Sequence, residues 1–412
     1  MVQMVDADRA AEMRDVLIAE LRTQGKITSD AVEAAIRQVP RERFMPEGTD
    51  LAEVYGYDNS VVTKRDEHGR AMSSVSAAYI QAVMLEQAQL RPGMSVLEVG
   101  SGGLNAAYIA EIVGPQGRVV SIDIDPEVID RAATALDASG YGSRVRVLTV
   151  DAEHGVPDED AFDAIIVTVG AWDIAPAWLR QLRPDGVIVV PLIMNNVTRV
   201  IGFRRDGDRL VSTATEIAGF VPMQGDGGHA DRVFELPDAN GHKVRLAFDS
   251  GAPDDMHQLD GALATERAEV WSGVTIPNGV SFVDLHLWFA WYLDGFCRFT
   301  AEPGTVLAGE KQWFPFGVVS GGGFAYLVVR PALEGTGAEF GARGYGDGGE
   351  LAATAMVEQI QAWDRYGRRT EPTFAYWPSG GQTQAPTGTD AMAKTHGVVT
   401  ISWPKDSGSP QR

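Results

Sequence analysis

Residues 95–114 read SVLEVGSGGLNAAYIAEIVG, and this stretch decides the fold. An apolar, β-branched run enters a glycine-rich turn, and an Ala- and Ile-rich run of helical character leaves it. Glycine suits a backbone that must turn sharply and approach a ligand closely. The helix start beyond offers free N–H groups and positive potential to an anionic group. Downstream the same alternation continues. RVVSIDID (118–125), RVRVLTVD (144–151), DAIIVTVG (163–170) and GVIVVPLI (186–193) are β-branched runs bounded by turns, with helical patterns in PEVIDRAATALDASG and PAWLRQLRPDG. Strands alternating with helices predict an α/β fold of Rossmann-like type, a parallel sheet covered on both faces.

Working outward, Ala10, Met13, Val16, Leu17 and Leu21 recur at helical spacing, and Ser29-Asp30 caps a second short helix. SAAYIQAVMLEQAQL (76–90) reads as a third, stopped by Arg91-Pro92-Gly93. From 194 to 249 the texture turns antiparallel, with a hairpin signal at Asn240-Gly241. The division expected is 1–240 as catalytic domain, its N-terminal part helical to about 90, and 241–412 as an α+β accessory domain. There, Leu285, Trp288, Phe289, Tyr292 and Phe296 fall at helical spacing and read as core, with Cys297 as a buried thiol. A helix is expected over 350–367 and a strand over 398–403. SGGQTQAPTGTDAMAK (379–394) reads as a polar loop, and KDSGSPQR (405–412) as a frayed tail.

Composition excludes several classes. The chain has 412 residues and one cysteine, which rules out an intrachain disulfide and a thiolate zinc site. A net charge of −21 argues against a nucleic-acid partner held by phosphate contacts. No run approaches eighteen apolar residues, and the first thirty carry acids throughout, so no membrane span or signal peptide is expected and a cytoplasmic protein is. His229 with Asp231 lacks the third and fourth ligands a metal needs, and no metal is expected.

Acids end three successive strands or stand just before their turns: Glu98, Asp123 and Asp151. That edge is where ligands sit in open α/β sheets. Asp123, 23 residues after Gly100, is placed to hold ribose hydroxyls. Asp151, with the N–H of Ala152, can meet an adenine edge. A dinucleotide fingerprint would need a third glycine where Asn105 stands, which disfavours a nicotinamide oxidoreductase. Glu98-x-Gly100-x-Gly102 instead fits the turn typical of S-adenosylmethionine enzymes.

The run VLEVGSGGLNAAYIAEIVG…VVSIDIDPEVIDRA…VLTVDAEHG…FDAIIVTVG…PAWLRQLRPDGVIVVPL resembles protein-L-isoaspartate O-methyltransferases over most of residues 10–228. VPRERFMPEG (39–48) is similar to that family's N-terminal signature, and Phe220-Val221-Pro222-Met223 to its closing one. SSVSAAYIQAVMLE (73–86) resembles the segment carrying the family's substrate-handling serine, which falls on Ser76. Two positions depart: Leu104 replaces the usual third glycine, and Ala78 the usual proline. The resemblance implies S-adenosylmethionine as cofactor, S-adenosylhomocysteine as product and Ser76 as the catalytic position. It implies a cofactor site built from Ser73, Ser74, Val75, Gln81, Glu98, Gly100, Ser101, Gly102, Asp123, Ile124, Asp151 and Ala152. The extension past 240 is similar to that of methyltransferases of lanthipeptide clusters, the FxLD group. That likeness implies methylation of an aspartyl side chain in a ribosomal precursor peptide, the ester then closing to aspartimide. Repair of isoaspartyl residues is the alternative substrate, and a non-catalytic peptide-docking module the alternative class.

Overall fold

The computed structural model describes residues 2–404 apart from 160, 309–312 and 333–334, so the expected tail 405–412 lies outside the described residues. Helices α1 (Val2–Thr23), α2 (Asp30–Gln38) and α3 (Leu51–Val54) open the chain, with Ser29 capping α2 by accepting from the Val32 N–H. A hairpin of β1 (Val61–Arg65) and β2 (Ala71–Val75) follows, then α4 (Ala78–Ala88). The alternating core runs β3 (Ser95–Val99), α5 (Leu104–Val113), β4 (Arg118–Asp123), α6 (Pro126–Ala138), β5 (Val145–Thr149), β6 (Phe162–Val167), α7 (Pro176–Gln181), β7 (Leu182–Met194). All five of these strands pair in parallel, as their β-branched runs predict. Strand β8 (Val197–Asp206) then pairs antiparallel with β7, and β9 (Arg209–Glu216) antiparallel with β8.

A second, antiparallel sheet follows. It contains β10 (Arg232–Pro237), β11 (Lys243–Phe248), β12 (Ala268–Ile276), β13 (Phe296–Ala301), β14 (Trp313–Ser320), β15 (Gly323–Pro331) and β16 (Ala338–Gly346), in the order β10-β11-β13-β14-β15-β16-β12. Helices α8 (Val283–Tyr292) and α9 (Gly349–Tyr366) belong to the same part of the chain. The chain then returns: β17 (Thr373–Pro378), β18 (Ala391–Ala393) and β19 (Gly397–Ser402) extend the first sheet beyond β9, giving ten strands in the order β18-β19-β17-β9-β8-β7-β6-β3-β4-β5.

Three expectations are corrected. The division at 240/241 does not separate the sheets, because residues 373–402 hydrogen-bond into the first one through Ala375 opposite Val211 and Tyr376 opposite Leu210. The aromatic stripe is helical only to Tyr292; Phe296 and Cys297 lie on β13. The break falls at Gly295, whose φ is +78° and where a Cβ would stand 2.3 Å from the Val319 carbonyl oxygen. The expected polar loop 379–394 contains β18.

One apolar cluster joins the two sheets. It runs from Leu97, Val99 and Ile165 of the parallel strands through Trp178 to Leu285, Phe289 and Trp291 of α8, and on to Met356, Ile360 and Trp363 of α9. A second cluster covers the opposite face with α1, α2, α4 and α5. Trp363 is buried, yet its Nε1 has no partner among the described residues. Trp363→Ala should therefore cost about 3–5 kcal/mol in urea denaturation, whereas Trp363→Phe, which discards an unpaired donor, should cost less than about 1.5 kcal/mol.

Candidate active site

The turn after β3 is shaped by crowding beneath it. Gly100 takes φ +93°, and a Cβ there would stand 2.6 Å from Thr168 Oγ1. That hydroxyl donates to the carbonyls of Gly100 (2.7 Å) and Val99 (3.0 Å), tying the turn to the end of β6. A Cβ on Gly102 would meet nothing within 4 Å, so the space over the turn is open to a ligand.

The acids converge here. Asp123 Oδ2 accepts the Ser101 N–H at 3.0 Å and Oδ1 accepts the Asp125 N–H at 3.0 Å, each oxygen keeping a lone pair for a further donor. Burial pushes its carboxyl upward from the ordinary value. Glu98 is fully buried. Its Oε2 accepts from Ser121 Oγ, which lies 2.8 Å from Ser101 Oγ. Burial raises the Glu98 carboxyl to about 7, with hydrogen bonding from Ser121 and Asn105 opposing the rise. Asp151 uses both oxygens on backbone N–H groups, Glu153 at 3.0 Å and Asp226 at 2.8 Å, and so joins the loop after β5 to residues 225–227. Ala152 is fixed through its carbonyl by Trp178 Nε1 at 2.8 Å.

Beside them opens a cleft lined by Met72, Gly100, Asp123, Ile124, Ala152 and Met223, with Glu98 and Asp151 outside its lining. Its wall includes the closing segment: Gly170 donates to the Val221 carbonyl, and Met223 to that of Gly170. Gly225 packs so closely on Asp151 and Ile124 that a Cβ would stand 2.3 Å from Asp151 Oδ2.

The hairpin β1–β2 brings Met72 to the cleft and is latched to α6. Ser73 Oγ accepts from Thr63 Oγ1 (2.9 Å) and Arg131 Nη2 (3.2 Å), and Lys64 pairs with Asp125 at 2.6 Å. Ser74 and Val75 sit opposite Val62 and Val61 in the ladder, Val75 buried. Ser76 follows directly, before α4 rather than inside it. Its carbonyl accepts from Arg41 Nη2 at 2.7 Å, and among the described residues its hydroxyl has no partner. Arg41 is buried, donates also to the Val54 carbonyl at 2.8 Å, and bonds Gln81 Oε1. Gln81 thus stands in the framework under Ser76.

Other residues that sequence reasoning left aside take part: Thr168, Arg41, Arg131, Trp178 and Met72. Arg41 was within reach, since it lies in the VPRERFMPEG signature. His229 and Asp231 form no metal set: His229 Nε2 contacts the Asp249 carbonyl at 2.7 Å and its ring stacks on Trp172 at 4.2 Å. Asp151, His154 and Asp226 bring ligand atoms within 4.8 Å of one another, but hydrogen bonds within the group already occupy them.

A parallel sheet with a glycine turn, an open space above it and a carboxylate, Asp123, at the cleft with lone pairs to spare fits a nucleoside bearing an amino acid. The chain is an S-adenosylmethionine-dependent methyltransferase, and the comparisons place it further. The sequence profile of protein-L-isoaspartate (D-aspartate) O-methyltransferases matches residues 12–227, and the chain belongs to that family. It is 39% identical over 180 residues to the protein-L-isoaspartate O-methyltransferase of Methanopyrus kandleri, covering 43% of this chain and 76% of that one. To that of Hyperthermus butylicus it is 35% identical over 233 residues, covering 54% and 93%. A solved protein-L-isoaspartate O-methyltransferase structure superposes with a TM-score of 0.48 at 24% identity, over 57% of this chain and 84% of that one. Among the described residues no helix is long and apolar enough to cross a membrane.

Glu98 gives a testable pH dependence. Its carboxyl would ionise near 4.5 when exposed and near 7 when folded, so the folded state holds the proton more tightly between those values. The contribution of Glu98 to stability is therefore fullest below pH 4.5 and declines by about 3 kcal/mol as pH rises to 7. Urea denaturation of the cofactor-free protein at pH 5 and pH 7.5 should show a smaller decline for Glu98→Gln.

Proposed function

We propose that the chain methylates the α-carboxylate of an isoaspartyl residue in a peptide or protein. The observation that carries this reading is the Ser76 hydroxyl, without a partner among the described residues and held in place through its own carbonyl by buried Arg41, within a segment that matches the family. The cofactor supplies an electrophilic methyl group on a sulfonium. A carboxylate is ionised at neutral pH, with model values near 4, so no general base is needed. Ser76 donates a hydrogen bond to one carboxylate oxygen and leaves the other to attack. The hairpin β1–β2 and the closing segment 220–223 exclude water from the cleft, and alignment of this kind is worth about 7–11 kcal/mol at most.

A second reading is favoured by one observation: the chain adds a seven-stranded sheet beyond the matched region, and that sheet shares its core with the catalytic one. On this reading the substrate is an aspartyl side chain in a lanthipeptide-like precursor peptide, which the second sheet recognises. Both esters continue alike. The backbone nitrogen of the next residue attacks the ester carbonyl, the acyl–oxygen bond breaks, methanol leaves, and a five-membered imide forms.

Matched peptides differing only in Asp or isoAsp separate the two, with product mass and kcat/KM as readouts. Preference for isoAsp supports the first reading, preference for Asp the second. Ser76→Ala should lower kcat/KM about 10–100-fold, the scale of one lost hydrogen bond to a charged group, and leave S-adenosylhomocysteine affinity in calorimetry unchanged.

A further inference from the structure

The cleft is flanked by two loops, one after β5 carrying Ala152 and one after β6 carrying Val169. Each loop is also held by the chain's far end. Glu153, next to Ala152, accepts from His396 Nε2 at 2.9 Å. Asp173, four residues beyond Val169, accepts the His396 N–H on Oδ2 at 2.6 Å and the Tyr376 hydroxyl on Oδ1 at 2.8 Å. Lys394 donates to the Ile193 carbonyl at 2.8 Å, and its ammonium lies 4.1 Å from the centroid of the Trp172 ring. One residue therefore bridges both loops, and it lies in the turn between β18 and β19, far beyond the family-matched region, which ends at residue 227.

We propose that His396 is a positioning residue of the cofactor site, binding Glu153 with its ring and Asp173 with its backbone so that the β5 and β6 loops keep their spacing around the cleft. The physical argument is preorganisation. The adenine edge meets the 151–152 segment, and a loop free to move must be ordered when the ligand arrives, which weakens binding. Glu153 is largely withdrawn from water, its side chain 15% exposed, so the bond to His396 is less screened than one at the surface. The Tyr376 and Lys394 contacts hold β17 and this turn against the β6 loop, which makes them a rigid support for the imidazole. This inference needs only the use of S-adenosylmethionine and is independent of which carboxylate is methylated.

The test is calorimetric titration of the full chain with S-adenosylhomocysteine, alongside thermal melts, for wild type, His396→Ala, His396→Gln and Glu153→Ala. No substrate is involved, so failure of the isoaspartyl reading leaves the result interpretable. The expected result is about tenfold weaker binding for His396→Ala and Glu153→Ala, the scale of one lost charge-assisted hydrogen bond. Tm should fall by less than about 4 °C. His396→Gln keeps a donor for Glu153 and should recover most of the affinity. Unchanged affinity in both alanine variants overturns the proposal. Equal loss of affinity and of Tm in His396→Ala and His396→Gln overturns it as well, since the histidine would then serve general stability.

Discussion

Space at position 100 is contested between a side chain and the Thr168 hydroxyl, and the hydroxyl holds it. Because Gly100 lacks a Cβ, Thr168 can bond two carbonyls of the turn and bind the end of β3 to the end of β6. With the turn so fixed, the Ser101 N–H points at Asp123, and the Ser101 hydroxyl reaches Ser121 and through it Glu98. Three strand ends are thus coupled before any ligand arrives. The cost is a carboxyl at Glu98 driven to about 7 by burial. A carboxyl withdrawn from water is poorly placed for stability, and the bonds from Ser121 and Asn105 offset only part of that cost.

The parallel sheet is legible in the sequence because its signal is local. Strands β3 to β7 are near-continuous β-branched runs, as strands covered on both faces must be, and the turn glycines fall between runs of different period. Most of the candidate site's edge follows from that register: Glu98, Gly100, Asp123 and Ala152 stand where the strand ends put them. What escapes notice depends on partners far away. Arg41 sits between Pro40 and Glu42 in the short charged run RER, yet it is buried and bonds the Ser76 carbonyl 35 positions on. Lys394 and His396 lie in and just beyond a stretch of Gly, Thr and Gln that has no period, and His396 reaches Asp173 across 223 positions. A contact of that range leaves no spacing to read.

The same non-locality bears on how the chain is divided. Strands β9 and β17 are neighbours in one sheet, yet β9 ends at Glu216 and β17 begins at Thr373. Residues 217–372, with all seven strands of the second sheet, are therefore embedded between two paired strands rather than attached after a finished domain. Closing so long a loop carries an entropic cost that grows only slowly with length. It is opposed by the apolar cluster that α8 and α9 share with the parallel strands. An embedded sheet differs from an appended one in a way that matters for function. Its two ends are fixed to the catalytic sheet, one through the closing segment at 220–223 and the other through the hairpin that carries His396. The second sheet is thus joined to the catalytic one through its core and at both of its chain ends, and both ends lie beside loops that flank the cleft.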